Sequence, residues 1–229
     1  MIKLIIFDWD DVIVLGSKQG YYNCYRETLK ELGITMSEEE MAVRIKRKWG
    51  QPFREELREL LKENITLLDH ACDIFYSSKF NGNTFVGGLR EIPGVNDLLV
   101  RLSKNYMLAV ATGNQRRMIK ENIIPRFHIP DVFCQIITSH DDNIPSEKTK
   151  PHPYMLELLM KRQNVLPSET IFVGDAKSDV QMAKNAGVEP VVVLTGHLSQ
   201  KQAQLLGVTH ILPDVTKIES ILPPPTTII

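Results

Sequence analysis

The sequence Leu4-Ile5-Ile6-Phe7-Asp8-Trp9-Asp10-Asp11 changes abruptly from apolar to acidic residues, and this change decides the predicted fold. The run from Leu4 to Phe7 is apolar without polar alternation, which is typical of a strand covered on both faces in a parallel sheet. In open α/β sheets, ligands bind beyond the carboxyl ends of the strands. We therefore expect a functional site directly after Phe7.

Asp8 and Asp10 are two residues apart, and on an extended segment this spacing points both carboxylates to the same side. Two ionised carboxylates held together repel each other unless a cation or a proton lies between them. The pair therefore fits a metal or catalytic site. Asp is also common in solvated turns after strands, so the pair alone leaves both interpretations open.

The composition is that of an ordinary globular protein of 229 residues, with 43% hydrophobic and 24% charged residues. The net charge of -1 argues against a nucleic-acid binder, which would carry a basic excess. We expect a cytoplasmic protein, because no run of transmembrane length and no signal-peptide pattern is present. The cysteines Cys24, Cys72 and Cys134 lack metal-binding spacing and are expected to be buried thiols in a reducing compartment.

Helical patterns dominate the sequence from Gly20 to Phe80. Tyr21, Tyr25 and Leu29 recur at helical spacing, and Ser37 with Glu40 fits a capping box. Two further helices are predicted, one starting at Pro52 and one over 67–80. Because no strand interrupts this run, we interpret it as an inserted all-α module, and the glycines at 82, 87 and 88 suit a hinge.

Strand and helix patterns alternate from Pro93 onward, which predicts an α/β fold with a parallel sheet. Strands are predicted over 107–111, 132–138, 170–173, 191–194 and 210–212, and helices over 95–103, 115–124, 153–163 and 179–186. The predicted architecture is a Rossmann-like three-layer core formed by 1–16 and 86–222, with an all-α domain inserted over 17–85. The residues 223–229 form a proline-rich tail.

Polar residues stand at four boundaries of the predicted strands and helices. They are Asp8 and Asp10; Thr112, Gly113 and Asn114; Lys150; and Asp175 with Asp179. Each set alone has an ordinary structural explanation, such as a turn, a surface lysine or a helix-capping Asp. Their common order and structural context make them specific as a group.

These residues resemble the motifs of the haloacid dehalogenase-like superfamily, in its phosphoglycolate-phosphatase-like branch with a helical cap. The matching motifs are Asp8-Trp9-Asp10, Thr112-Gly113-Asn114, Lys150-Pro151-His152-Pro153 and Gly174-Asp175 followed by Asp179. The segments Pro93-Gly94-Val95 and Thr195-Gly196-His197 also resemble this branch. The resemblance covers most of the chain outside the tail.

The resemblance implies a magnesium-dependent phosphomonoester hydrolase that acts on a small phosphorylated metabolite through an aspartyl-phosphate. Asp8 would be the nucleophile and Asp10 the general acid and base. Thr112, Gly113, Asn114 and Lys150 would bind the phosphoryl group. The Asp8 and Asp175 carboxylates and the Asp10 main-chain carbonyl would hold Mg²⁺, and Asp179 would orient a metal-bound water or Lys150.

The inserted helices would act as a cap, with Trp49, Gly50, Gln51 and Arg54 as candidate specificity residues. One departure from the family pattern is Asp11, which stands where relatives usually have Gly. An extra carboxylate there could crowd the metal site or point away from it, so its effect on turnover stays open.

Other functions remain open at this stage. A sugar-phosphate mutase and a phosphonoacetaldehyde hydrolase share the scaffold, and a non-catalytic phosphate-binding protein is a third alternative. Haloacid dehalogenation is disfavoured by Asp10, and a receiver domain is disfavoured by the chain length and the helical insertion. We expect a monomer or homodimer with no nucleic-acid or membrane partner.

Overall fold

The computed structural model describes residues 1–48, 53–81, 83–139 and 143–223. The chain forms two compact units, one made of Met1–Leu15 with Arg90–Ile229 and the other of Gly16–Leu89. None of the helices within the described ranges is both long and apolar enough to cross a bilayer.

The described residues form strands, α-helices and several short helical segments of other types. The strands are β1 (Leu4–Phe7), β2 (Val14–Leu15), β3 (Arg90–Glu91), β4 (Met107–Thr112), β5 (Phe133–Thr138), β6 (Thr170–Gly174), β7 (Glu189–Val193) and β8 (His210–Leu212). The α-helices are α1 (Ser17–Glu31), α2 (Glu38–Lys46), α3 (Phe53–Leu60), α4 (Leu68–Phe80), α5 (Val95–Leu102), α6 (Ile124–Phe127), α7 (Tyr154–Gln163), α8 (Lys177–Asn185) and α9 (Gln200–Leu205). Short 3₁₀ segments cover Lys62–Leu67, Val86–Gly88, Ser146–Lys148, Pro167–Glu169 and Val215–Ser220, and a π-helical segment covers Met118–Ile123.

The first unit is built on a six-stranded parallel sheet with the order β5-β4-β1-β6-β7-β8. Its central strand β1 is completely buried and pairs with β4 and β6, so that Phe7 lies opposite both Val110 and Val173. The chain runs outward from β1 to β5 and then crosses to β6 on the other side. Open α/β sheets bind ligands at such a change of direction, which lies here beside β1. The parallel sheet and its flanking helices confirm the predicted α/β fold.

One face of this sheet is covered by α7 and α8. Leu156 and Leu159 of α7 and Met182 of α8 pack against Leu4, Ile6 and neighbouring sheet residues in one buried cluster. Removing apolar surface of this kind from water stabilises a fold by about 25 cal/mol per Å². The packing of these helices therefore stabilises the sheet whose strands lead into the loops of the site.

Several predicted boundaries differ from the observed ones. The helix predicted over 115–124 is the π-helical segment Met118–Ile123, which continues into α6 and ends where His128 adopts a left-handed conformation. Helix α8 begins at Lys177, two residues earlier than expected. The ribbon of β2 and β3 was not predicted, because two-residue strands leave no periodic pattern. The expectation of buried thiols holds for Cys24. It is wrong for Cys134, which is exposed on the edge strand β5, and for Cys72, which is only partly buried.

The second unit carries helices and no strand in its described residues. Phe75 of α4 lies at its centre, with ring centroids 4.8 Å from Tyr25 and 5.1 Å from Phe53. The predicted cap of α2 is present, since Ser37 Oγ accepts a hydrogen bond from the Glu40 amide at 3.1 Å. The aromatic spacing seen in the sequence therefore forms the core of this unit.

The chain leaves the first unit after Leu15 and returns to it at Arg90, and these two crossings lie side by side. They are joined because Val14 pairs with Glu91 and Leu15 pairs with Arg90 in an antiparallel ribbon. Gly16 follows with a φ of 91°, and a Cβ there would lie 2.4 Å from the main-chain oxygen of Gly88. Only glycine fits this close approach.

We predict that Gly16→Ala destabilises the protein more than Gly94→Ala does. Both glycines precede a helix in the left-handed conformation, but a Cβ at Gly94 meets nothing within 4 Å. The left-handed backbone should cost each variant about 1–2 kcal/mol, and the collision with Gly88 should add about 1–3 kcal/mol. Urea unfolding followed by circular dichroism measures the free energy of unfolding of each variant. Equal losses of stability in the two variants would contradict the close approach of Gly16 to Gly88.

Candidate active site

The loops that follow β1, β4 and β6 bring the predicted motifs together at the carboxyl edge of the sheet. Asp8 follows β1, Thr112 ends β4 and Asp175 follows β6. Since β4 and β6 are the two neighbours of β1, these residues come from three adjacent strands. Lys150 reaches the same place from the segment that precedes α7.

The turn after β1 is fixed from inside by Trp9. Its side chain is completely buried and packs edge-on against Phe133, with ring centroids 6.0 Å apart. The Trp9 carbonyl accepts a hydrogen bond from the Ile13 amide at 2.9 Å and closes the turn. An apolar anchor between Asp8 and Asp10 therefore holds the acidic turn in place.

Asp8 is a nearly buried carboxylate, with 9% of its surface exposed. Its Oδ1 accepts a hydrogen bond from the Trp9 amide at 2.7 Å and lies 2.9 Å from Lys150 Nζ. Burial raises the pKa of Asp8 to about 7, although the Lys150 ammonium opposes the shift and the Asp179 and Asp175 carboxylates add to it. The carboxyl group of Asp8 therefore holds a proton more readily than that of an exposed Asp.

Lys150 bridges two carboxylates, since its Nζ also lies 2.8 Å from Asp179 Oδ1. Burial alone would lower the pKa of this lysine, but Asp179 and Asp8 outweigh burial and raise the pKa above its usual range. Lys150 therefore stays an ammonium ion, and its charge offsets part of the negative charge of the site.

Asp179 is held by the main chain of the loop after β6. Its Oδ2 accepts hydrogen bonds from the amides of Asp175 at 3.1 Å and Ala176 at 3.0 Å. A Cβ on Gly174 would lie 2.4 Å from the Asp179 Cβ, so glycine is required for this packing. With Lys150 on its other oxygen, Asp179 is a fixed link between this loop and Lys150.

Asp8, Asp175 and Asp179 form the one group in the described part of the chain that could hold a metal ion, with a carboxylate oxygen of each within 4.8 Å of the others. Oxygen-only donors suit hard cations such as Mg²⁺ and Ca²⁺. The donor set fits such an ion. Because both oxygens of Asp179 are engaged by amides and Lys150, Asp8 and Asp175 are the carboxylates best able to bind it.

Asp10 contacts Asn114 across the top of β1 and β4. The Asn114 amide group lies 3.2 Å from each Asp10 carboxylate oxygen, and the Asn114 main-chain amide donates to Thr112 Oγ1 at 3.1 Å. Thr112 is buried, whereas Gly113 is exposed. The Thr112-Gly113-Asn114 motif therefore contacts Asp10 through the Asn114 side chain. The main-chain amide of Asn114 stabilises the turn through its hydrogen bond to Thr112.

Asp11 adopts a left-handed conformation with a φ of 58°. Asp tolerates this conformation better than most residues, and glycine adopts it freely. Its main-chain oxygen accepts a hydrogen bond from Thr195 Oγ1 at 2.5 Å, and the residue is 7% exposed. The backbone conformation explains how Asp fits at a position where the motif resemblance leads us to expect Gly.

Of the predicted specificity residues, Arg54 alone lies among the residues that the structure describes. Trp49, Gly50 and Gln51 lie outside the described residues. Arg54, on α3, forms an ion pair with Asp69 at 2.5 Å and remains half-exposed. Its guanidinium is therefore already paired with a carboxylate of its own unit.

One polar contact at the site was not assigned a role from the sequence. His197 donates its main-chain N–H to Asp175 Oδ2 at 2.9 Å, and its ring Nδ1 lies 2.8 Å from the same oxygen. The only signal in the sequence was Thr195-Gly196-His197 after a predicted strand. Nothing in that triplet indicates which carboxylate the histidine contacts.

Comparison with known proteins identifies the family of this chain. The family described as haloacid dehalogenase-like hydrolase matches residues 5–193. A glyceraldehyde 3-phosphate phosphatase of Pyrococcus furiosus is 31% identical over 83% of this chain and 80% of its own length. A phosphoglycolate phosphatase of Escherichia coli is 26% identical over 82% of this chain and 73% of its own length.

The fold also occurs among solved structures. A haloacid dehalogenase-like hydrolase of Streptococcus pneumoniae superposes with a TM-score of 0.76 at 20% identity, covering 96% of this chain and 98% of that protein. At this identity the likeness concerns the fold alone. Together, the family match and the phosphatase relatives confirm the resemblance seen in the motifs, and the chain belongs to the haloacid dehalogenase-like hydrolase family as an enzyme of its phosphatase group.

Proposed function

We propose that this phosphatase is a magnesium-dependent phosphomonoesterase that transfers the phosphoryl group of a small metabolite to Asp8 and then to water. One observation carries the proposal. The nearly buried Asp8 carboxylate lies at the end of the central strand, bound to Lys150 and grouped with Asp175 and Asp179. A carboxylate, a fixed ammonium and a cation site are the parts that phosphoryl transfer requires.

In the first step, an Asp8 carboxylate oxygen attacks phosphorus and the bond from phosphorus to the substrate oxygen breaks. The product alcohol leaves and Asp8 becomes an acyl phosphate. Water then attacks this phosphorus, inorganic phosphate leaves and the Asp8 carboxylate is regenerated. Dividing the reaction in two lets the enzyme position each nucleophile separately.

Asp10 supplies the proton that the leaving alcohol requires and takes one from the attacking water. Its carboxylate is only partly buried, and Asn114 holds both of its oxygens at 3.2 Å. A group fixed in this way remains close to the reacting oxygens through both steps, as general acid and base catalysis demands. Thr112, Gly113 and Asn114 form the turn beside it, which we assign to the phosphate.

Mg²⁺ would be held by the carboxylates of Asp8 and Asp175 and by the main-chain oxygen of Asp10. When bound, it supplies positive charge that attracts the phosphate dianion to an acidic site and offsets the charge of the transition state. Lys150 adds a second positive charge from the protein. Asp179 keeps Lys150 in position through the 2.8 Å ion pair.

The substrate proposed is a small phosphorylated carbohydrate or hydroxy acid. The supporting observation is that the two phosphatase relatives are named for glyceraldehyde 3-phosphate and phosphoglycolate. We assign substrate choice to residues 17–85 as a cap domain. The paired crossings at Leu15 and Arg90 support that role, since two adjacent strands are a simple pivot.

We predict that the enzyme releases phosphate from a panel containing phosphoglycolate and glyceraldehyde 3-phosphate in the presence of Mg²⁺, and that EDTA stops the release. Asp8→Asn should lower kcat about 10³-fold or more, because it removes the nucleophile. Asp131→Asn, which changes an exposed carboxylate ahead of β5, is the matched control and should retain activity.

Full activity of Asp8→Asn would contradict the proposed nucleophile. Isomerisation of a sugar phosphate that depends on a bisphosphate activator, without net phosphate release, would support the mutase alternative. No release from any substrate, in protein shown to be folded, would favour a non-catalytic phosphate-binding protein.

We also predict that Mg²⁺ binding releases protons in acidic buffer. The pKa of Asp8 is raised to about 7 in the metal-free protein, so this carboxyl group is largely protonated at about pH 6. A neighbouring cation favours the ionised form, so binding should release up to one proton at about pH 6 and close to none at about pH 9.

Calorimetric titration of MgCl₂ in two buffers of different ionisation enthalpy measures this proton count. The affinity should also improve as the pH rises through about 7 and then level off. Heats that do not depend on the buffer at about pH 6 would show that Asp8 is not the titrating ligand.

A further inference from the structure

The loop that follows β7 forms hydrogen bonds with the turn after β1 and with the turn after β6. Thr195 Oγ1 donates to the main-chain oxygen of Asp11, and the Leu198 amide donates to the main-chain oxygen of Asp175 at 2.9 Å. Between them, His197 contacts the Asp175 carboxylate twice. The loop thus links the turn after β1 to the turn after β6.

Both His197 contacts fall on the same oxygen, Asp175 Oδ2. The main-chain amide lies 2.9 Å away and the ring Nδ1 lies 2.8 Å away. A Cβ at Gly196 would lie 1.9 Å from this oxygen, so the loop approaches the carboxylate as closely as a glycine permits. Two donors on one oxygen define the rotation of the carboxylate and direct Oδ1 elsewhere.

The contact between His197 and Asp175 joins a half-exposed histidine to a buried carboxylate. The Asp175 side chain is 4% exposed, whereas the His197 side chain is 47% exposed. An ionised carboxylate only accepts hydrogen bonds, so the ring must carry a proton on Nδ1 to stabilise this contact. Partners of this kind set the orientation and basicity of a metal-binding carboxylate.

We infer that His197 is a positioning residue for the metal site, which fixes Asp175 through Nδ1 so that the remaining carboxylate oxygen faces the cation. The inference rests on the proposed function, since it concerns a ligand of the proposed metal. It does not give His197 a contact with substrate. The main-chain N–H of residue 197 contributes to the same orientation and survives any side-chain substitution.

Two substitutions separate the hydrogen bond from the bulk of the ring. In His197→Asn, the amide nitrogen occupies nearly the place of Nδ1 and can donate to Asp175. In His197→Leu, an apolar group of similar reach takes that place and cannot donate. His210→Leu, on strand β8, is the control for losing a histidine elsewhere.

The experiment measures the dissociation constant of Mg²⁺ by calorimetry and by the fluorescence change on titration, in wild type, these three variants and Asp175→Asn. His197→Leu should bind Mg²⁺ about 10-fold to 100-fold more weakly than wild type. His197→Asn should recover most of that loss, and His210→Leu should match wild type. Circular dichroism and thermal unfolding of the metal-free proteins show whether each variant is folded.

Activity gives a second readout. The Mg²⁺ concentration for half-maximal activity should rise in His197→Leu, while kcat at saturating Mg²⁺ stays near the wild-type value. A lower kcat at saturating Mg²⁺ with an unchanged dissociation constant would overturn the inference, because the histidine would then act on the reaction and not through Asp175.

The outcomes distinguish this inference from the proposed function. If wild type binds Mg²⁺, Asp175→Asn does not, and His197→Leu binds as wild type does, the metal site stands and the role of His197 is wrong. If wild type itself does not bind Mg²⁺, both are overturned. Equal weakening in His197→Leu and His197→Asn would also overturn it, since the hydrogen bond would not be the cause.

Discussion

The structure of the site depends on Lys150, whose ammonium group joins Asp8 and Asp179 at 2.9 Å and 2.8 Å. Asp8 lies in the turn after β1 and Asp179 in the first turn of α8. Without a cation, the burial of both carboxylates in one place would be strongly unfavourable. A buried ion pair of this kind is seldom the most stable way to fill a core. The proposed chemistry gives a reason for its presence at the carboxyl end of the central strand, since Lys150 would offset the negative charge of a site that binds a metal cation and a phosphate.

The main chain positions the other carboxylates. Gly174 lets Asp179 pack against the loop after β6, and Gly196 brings the loop after β7 onto the Asp175 carboxylate. Amides of Asp175, Ala176 and His197 then hold the two carboxylates. Since these amides belong to loops that follow rigid buried strands, the positions of the carboxylates are set by the sheet. This is the preorganisation that electrostatic catalysis requires.

The sequence predicted the α/β fold, the central strand and the residues that gather at its end, because a buried parallel strand and the polar turn after it leave strong local patterns. The ribbon of β2 and β3 was missed, since it consists of four residues without periodicity. The start of α8 and the exposure of Cys134 were also misjudged, because each depends on neighbours in space. His197 could not be assigned a role for the same reason: its partner, Asp175, lies 22 residues away in the chain.

The central claim is that Asp8 carries the phosphoryl group between the two steps. It is tested most directly by treating the Asp10→Asn variant with p-nitrophenyl phosphate and Mg²⁺, quenching with acid and locating phosphate by peptide mass spectrometry. This substrate has a good leaving group, so the first step needs no acid, whereas the second step has lost its base. We predict that phosphorylated Asp8 accumulates, and that Asp8→Asn shows none. Phosphate on a different residue, or steady phosphate release without any phosphorylated enzyme, would contradict the account.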